Sequence, residues 1–388
     1  MKRFDMIISG GGMIGSIAAV AAIESGLSVL LIEANKFSSL KTDSPRDLRV
    51  SAISWDNIKT LTQLGIFDHL LQERIQSYSH MHVWDNRSNA DIDFSADFSQ
   101  QACLGYLMEN NNLVQAAWTK LQQSDQCDII DLTTIKSLEN EGSQVRVVLT
   151  NQEEYKGRLL IAAEGRQSSV RKSVSIETKE NPYHQKGLVA YIKLNNAPTQ
   201  TALQAFNMGG PMGILPFENK VFSIVWSLPE DECQQWLDCD QETFEQGVKD
   251  AIGKDLGSVE LVSKRAAFPL TQLYSDKYFE NRVVLCGDTA HGIHPLAGQG
   301  VNLGIGDIKQ LFEVIDINTL KDDDMLRIAL RKYQRRRISQ VKETSEMMSF
   351  LHHLFKDDKH IKKPLRTLGL KLLNDSPLKK WFISQAGS

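Results

Sequence analysis

The chain has 388 residues, of which 41% are hydrophobic and 24% charged, with 10 prolines and 25 glycines. That length exceeds the roughly 250–300 residues at which one core stops growing, so two or more domains are expected, and the composition excludes a disordered, collagenous or low-complexity chain. The net charge of −4 hides a basic end on an acidic body, with 15 Lys/Arg against 5 Asp/Glu from Arg327 to Ser388.

The five cysteines (Cys103, Cys127, Cys233, Cys239 and Cys286) show no Cys-x-x-Cys pair and share no spacing with a His cluster. That argues against a metal site or a disulfide framework and fits a reducing cytoplasm. Lys2 and Arg3 before the weakly apolar Met6–Ile23 imitate a signal peptide, but Asp5 and the Gly10-Gly11-Gly12 break interrupt it. No other run approaches the ~20 apolar residues of a spanning helix.

Asp5–Ser9 reads as a short buried strand. Gly10-Gly-Gly12-Met-Ile-Gly15 then fits G-x-G-x-x-G, Ile14–Ser25 reads as a packed helix ended by Gly26, and Ser28–Ile32 as the next strand, closed by Glu33. Gly10 permits the tight turn, Gly12 a close approach to a pyrophosphate, and Gly15 tight packing of helix on strand. The helix N-terminus offers free N–H groups and a positive dipole end to phosphates. Glu33 stands where a carboxylate takes hydrogen bonds from a ribose diol, which favours FAD or NAD over NADP. This motif alone does not separate FAD from NAD.

Two more strand-to-turn segments follow. Arg158-Leu-Leu-Ile-Ala-Ala runs into Glu164-Gly165, a polar turn and Arg171. Arg282-Val-Val-Leu-Cys runs into Gly287-Asp288-Thr-Ala-His291, where Asp288 can accept a ribityl hydroxyl and Gly287 leaves room for it. The glycine-rich turn from His294 through Gly298 and Gly300 leads into a helix expected to reach about Ile315. Free N–H groups at that helix start suit the flavin edge where negative charge gathers on reduction.

In this order the three motifs resemble those of class A flavoprotein aromatic hydroxylases, the group that includes para-hydroxybenzoate hydroxylase. His294–Asp307 resembles the signature of the ubiquinone-biosynthesis hydroxylase family within it, and so do Asp47–Ile53, Leu104–Asn110, Ser223–Leu228 and Phe268–Thr271. Val83–Asp85 and Arg366–Leu372 are most similar to its 2-polyprenylphenol hydroxylase (VisC-like) branch. The resemblance implies that Arg49 contacts the FAD pyrophosphate and that Asp288 holds the ribityl and pyrophosphate region. It implies further that Pro295 lies near the flavin's reactive edge and that Gly300, Val301 and Asn302 bind the isoalloxazine ring. Arg49 also reads as a surface arginine at a helix start, and His291 and His294 as packing or hydrogen-bonding residues at the helix entry rather than proton carriers. One departure stands out: where the family has Asp-Gly, this chain has Glu164-Gly165, one methylene longer, at a motif tied to both FAD and the nicotinamide donor.

The implied fold is α/β: a Rossmann-like FAD-binding domain (para-hydroxybenzoate hydroxylase-like) with an inserted β-sheet substrate domain and a helical C-terminal tail. The expected division gives residues 1–75, 100–180 and 270–330 to the FAD domain. It gives 76–99 and 181–269 to the substrate domain, and 331–388 to the basic tail. The alternating stretches Gly187–Leu194 and Lys220–Ser227 suit that sheet, with Pro211–Pro216 near its pocket.

The implied activity is hydroxylation of a polyprenylated phenol in ubiquinone biosynthesis, using O2, NAD(P)H and a flavin C4a-hydroperoxide, with no metal, no nucleic acid and no residue assigned as catalytic base. Two alternatives stay open: a hydroxylase of a small soluble aromatic, and a non-catalytic FAD-bound subunit of a biosynthetic complex. The tail after Lys332 is expected to be helical, with Met347, Met348, Phe350, Leu351, Leu354 and Phe355 on one face. Either it packs on the body or it places Lys356, Lys359, Lys362, Lys363 and Arg366 on an anionic membrane surface. The expected location is the cytoplasm, with the inner face of the membrane as a peripheral site.

Overall fold

The computed structural model describes residues 1–87, 90–207, 210–292 and 299–356. Their strands form three sheets. The first is built on parallel strands in the order Val283–Leu285, Glu154–Ala162, Lys2–Ser9, Val29–Ile32 and Cys127–Ile130. Met6–Ile8, Val29–Ile32 and Leu159–Ala162 are buried throughout, so no position in these runs meets water. Helix Met13–Glu24, lined with Ile17, Val20 and small alanines, fits between this sheet and helices Asn110–Gln122 and Gln299–Phe312. The early half of Glu154–Ala162 continues into an antiparallel meander with Gln144–Leu149 and Ile135–Glu141.

The second sheet is mostly antiparallel. Its main path runs His291–Gly292, Ala266–Ser275, Thr178–Leu194, Val221–Pro229, Pro211–Pro216, Thr201–Phe206, His80–Asp85 and Ala90–Ser95. Alternation assigns its two faces. Leu188, Ala190, Ile192, Ile214, Ile224 and Trp226 pack against Phe244, Val248 and Ile252 of helix Gln241–Ile252. The intervening positions, Gly187, Val189, Gly213 and Val225, face the opposite way, into a cleft. A third, small sheet pairs Val50–Ser54 and Ile75–Tyr78 with Gly105–Glu109. Its Ala52, Tyr78 and Leu107 share a core with Tyr191 and Phe217 of the second sheet and so join the two larger units.

Two helix boundaries differ from expectation. Helix Gln299–Phe312 stops short of Ile315, and Asp316 caps the next helix, Ile317–Lys321, by accepting from the Thr319 N–H at 2.7 Å. The C-terminal helix begins at Asp323, ahead of Lys332, where Asp322 accepts from the Met325 N–H at 2.9 Å and acidic residues fill the first turn. Leu326, Leu330, Tyr333, Arg337 and Val341 recur at helical spacing and are buried against the first domain. Over this length the helix packs on the body. Among the described residues no helix is long and apolar enough to cross a membrane.

Candidate cofactor and substrate site

The glycines of the first turn divide into two kinds. Gly10, at φ +101°, donates to the Ile32 carbonyl at 2.8 Å, and a Cβ there would lie 2.5 Å from the Ala163 oxygen. A Cβ on Gly15 would lie 1.8 Å from the Gly10 oxygen, so these two positions are closed by backbone. Gly12 caps the helix in ordinary extended backbone, and a Cβ there would meet nothing within 4 Å. The open space lies at the end of the helix where the first-turn N–H groups emerge.

Glu33 braces this turn. One oxygen accepts from the Gly11 N–H at 2.6 Å, and the other accepts from the Asn35 N–H at 2.8 Å and its side-chain amide at 3.0 Å. A carboxylate has about four acceptor positions, so capacity for a ribose hydroxyl remains. Trp118 donates to the Gly11 carbonyl at 2.8 Å and stacks on Phe37 with ring centroids 4.5 Å apart. Sequence reasoning did not find Trp118, because it lies 107 positions from Gly11 and nothing local marks it.

Glu164 is not free to reach a ligand. Its oxygens accept from the hydroxyls of Ser9 (2.8 Å), Ser168 (2.5 Å) and Ser169 (3.2 Å) and from the Val170 N–H (3.0 Å). The longer side chain therefore ties the end of the first strand to the short helix Ser169–Ser173. The second and third motifs are tied in turn: the Gly165 N–H donates to the Thr289 hydroxyl at 2.9 Å, and buried Arg171 donates to the Thr289 carbonyl at 2.8 Å. Ile14 of the first motif packs where a Cβ on Gly287 or Gly304 would sit, at 3.0 and 2.5 Å. All three turns thus converge.

Asp288 stands exposed in the Gly287–Thr289 turn, its carboxylate without a protein partner among the described residues. Below it the fully buried Asp307 accepts from the Gly287 N–H (2.7 Å), His291 Nε2 (2.7 Å) and Arg337 Nε (2.6 Å). Burial alone would raise the Asp307 carboxyl, but His291 and Arg337 outweigh it and hold the group below the usual carboxylate range. His291 is accordingly a buried structural partner, and Arg337 links the C-terminal helix to the turn that presents Asp288.

Asn302 is a pin. It donates to the Ala52 carbonyl at 2.8 Å and accepts from the Ser54 N–H at 3.0 Å and from Asn57 at 2.9 Å. Its side chain is committed to protein, and its carbonyl accepts from the Asn57 amide at 3.2 Å. Among the described residues a Cβ on Gly300 would meet nothing within 4 Å, and Val301 is half-buried on the first core. Pro295, Gly298 and His294 lie outside the described residues.

The strand pinned by Asn302 begins at Val50, one residue after Arg49. Arg49 is exposed and precedes a strand rather than starting a helix. The loop before it is fixed by a buried pair. Arg74 donates to Glu109 at 2.9 and 2.6 Å and to the carbonyls of Lys41, Thr42, Ser44 and Pro45, while Glu109 also accepts from the Asp47 N–H at 2.6 Å. Tyr191 donates to the Asp47 carbonyl at 2.9 Å, and burial pushes its phenol pKa up, so it acts as a protonated strut and not as a base.

Leu48, Arg49 and Val50 form one wall of a cleft of about 980 Å³, part of it open to solvent, whose floor is the free face of the second sheet. Its lining is mainly aliphatic, with Arg49 the only charged side chain among the described lining residues. From Val50 to Ser54 is one short strand, ~13 Å at about 3.3 Å per residue, so the cleft and the Asn302 helix are near neighbours. The observations fit FAD: open space at Gly12 and Gly300 where Gly10, Gly15, Gly287 and Gly304 are packed shut, helix N-termini beside it, and an unpartnered Asp288.

A glycine-turn cradle for a flavin dinucleotide beside a sheet-floored apolar cleft defines a class A FAD-dependent monooxygenase. The chain matches the FAD binding domain family over residues 3–344. It is 30% identical to the mitochondrial ubiquinone biosynthesis monooxygenase COQ6 of Danio rerio, across 97% of this chain and 88% of that one. It is 28% identical to the 3-demethoxyubiquinol 3-hydroxylase of Escherichia coli (strain K12), across 94% and 93%.

Two solved structures share the fold. One is p-nitrophenol 4-monooxygenase PnpA of Pseudomonas putida (TM-score 0.78, 14% identity, covering 100% of this chain and 99% of that one). The other is HpxO of Klebsiella pneumoniae with FAD and uric acid (TM-score 0.75, 17% identity, 99% and 96%). The chain belongs to the ubiquinone-biosynthesis hydroxylase family of FAD-dependent aromatic monooxygenases. Its cofactor is FAD, and NAD(P)H is the donor typical of that family.

Proposed function

We propose that this protein hydroxylates the aromatic ring of a polyprenylated phenol on the way to ubiquinone, with O2 as oxygen source. The observation that carries the reading is the mainly aliphatic cleft, which meets the cofactor cradle through the single strand Val50–Ser54. In this reading Gly12 and the helix behind it hold the pyrophosphate with Arg49. Glu33 holds the adenosine ribose, Gly287 and Asp288 the ribityl chain, and Pro295, Gly298, Gly300, Val301 and the Asn302 backbone the ring. Bound FAD supplies oxygen activation once it is reduced. The protein's part is to hold the ring carbon in reach and to keep water out, which Leu48, Val50, Met81, Val189, Leu215 and Leu270 serve.

The division already given by residue numbers, with 76–99 and 181–269 as the substrate domain, belongs to this proposal. So does a cytoplasmic position at the membrane's inner face, supported by the exposed Arg331, Lys332 and Arg335 on the C-terminal helix.

The test compares phenol-dependent NAD(P)H oxidation and product formation by the FAD-loaded protein on prenylated and unprenylated phenols. We expect coupled hydroxylation only with a prenyl chain. Equal or better turnover of the unprenylated ring would overturn the substrate assignment, and no turnover of any phenol would point to a non-catalytic FAD-bound subunit.

A further inference from the structure

Gln204 has no role in the cradle and no partner in the fold. It sits on strand Thr201–Phe206, 7% exposed, and lines the cleft. Among the described residues its carboxamide meets no protein donor or acceptor. With most of the residue covered and no protein group on the carboxamide, its hydrogen bonds fall to whatever occupies the cleft, water or ligand.

The sheet register says what lies beside it. Gln204 pairs with Gly213, Gly213 with Val225, and Val225 with Val189, so these four form one row on the cleft floor. Gly213 is a dent in that row: a Cβ there would meet only the Val225 carbonyl, 3.9 Å away. A flat ring laid on Gly213 has Gln204 at its edge and aliphatic walls elsewhere. A carboxamide both donates and accepts, so it can take a phenol O–H on its oxygen and offer N–H to an adjacent ring oxygen. Among the described residues the floor holds no cation to neutralise a carboxylate, since Arg49 stands in the wall, at the cradle end.

We propose that Gln204 is the substrate-orienting residue of this enzyme, gripping the ring hydroxyl of a neutral, carboxylate-free phenol that lies on Gly213. The inference rests on the cleft being the phenol site, so the experiment separates the two claims.

FAD-loaded wild type, Gln204→Leu and Gly213→Val are compared by flavin content, melting temperature, flavin absorbance changes on ligand addition, and product formed per NAD(P)H oxidised. The ligands are a 2-prenylphenol, its O-methyl ether and a prenylated 4-hydroxybenzoate. Wild type should bind the phenol about 10-fold more tightly than the ether, the worth of one hydrogen bond, and at least as much more tightly than the carboxylate. Gln204→Leu should bind phenol and ether alike at the ether's affinity and form less product per NAD(P)H, with flavin content and melting temperature unchanged. Gly213→Val, which fills the dent, should abolish phenol binding while keeping FAD.

If Gly213→Val binds and hydroxylates the phenol normally, the cleft is not the site and both claims fall. If Gly213→Val is inactive but Gln204→Leu still prefers phenol to ether, only the role of Gln204 falls. Carboxylate binding equal to or tighter than phenol binding would overturn the neutral-ring part.

Discussion

Replacing Gly12 with valine separates cofactor binding from folding. Gly12 has ordinary extended backbone, and nothing lies within 4 Å of a Cβ placed there. The folded apoprotein should therefore lose no more than the ~1 kcal/mol that a β-branched residue costs at a helix N-cap, a shift of about 1 °C for a chain this large. The same side chain occupies the space a pyrophosphate needs. Denying it two hydrogen bonds from the helix N-terminus, each about 1.5 kcal/mol to a charged acceptor, removes ~3 kcal/mol, or roughly 100-fold in affinity.

Gly15→Ala is the contrasting control. Its Cβ would fall 1.8 Å from the Gly10 oxygen, so it should unfold the turn and depress apoprotein stability by at least the ~1–3 kcal/mol typical of overpacking. The assays are flavin released per chain, FAD titration of apoprotein, and thermal melting without FAD. Stoichiometric FAD at wild-type affinity in Gly12→Val would refute the placement of the pyrophosphate.

Asp288→Ala should weaken FAD binding while leaving the apoprotein melting temperature in place, because the carboxylate is exposed and has no protein partner to lose; unchanged FAD affinity would remove it from the site. Arg74→Met leaves the buried Glu109 with only the half-buried Arg46, at 3.3 Å, as counter-ion and strips four loop carbonyls of their donor, a loss of about 3 kcal/mol. Trypsin should then cut at Lys41, Arg46 or Arg49 in variant but not wild type, and continued resistance would show that the Arg74–Glu109 pair does not fix that loop. For Asp307, whose folded pKa is lowered, the linked stability is fully present above its unfolded value of 3.8 and fades as pH falls below it toward the folded value. Asp307→Asn should flatten that acid limb in thermal melts of apoprotein, and an acid limb of wild-type steepness would assign the loss to other carboxylates. Arg337→Met and Asp307→Asn share one buried pair, so their combined cost should fall well short of the sum of the two.

The sequence by itself determined the cofactor and the family, because both depend on local backbone. A strand running into glycines at set spacing can make only a few shapes, and Gly10, Gly15 and Gly287 are where those shapes need them. What the sequence did not disclose is which of the motif glycines face a ligand and which face protein. Gly12 and Gly300 open on space, Gly10 and Gly15 close on backbone, and nothing in their spacing tells them apart.

The supporting residues were equally hidden. Trp118 beneath Gly11, Glu109 and Arg74 behind Arg49, and Arg337 behind Asp307 join points up to 107 positions apart, and each owes its partner to chain folding rather than to neighbours in sequence. Glu164 shows the same limit from the other side. As a letter it departs from the family's Asp-Gly, yet in space its extra methylene carries the carboxylate to Ser9, Ser168, Ser169 and Val170, where it ties strand to helix. The cleft, too, exists only once the sheet is assembled, since Gln204, Gly213 and Val225 become neighbours through strand register and not through order along the chain.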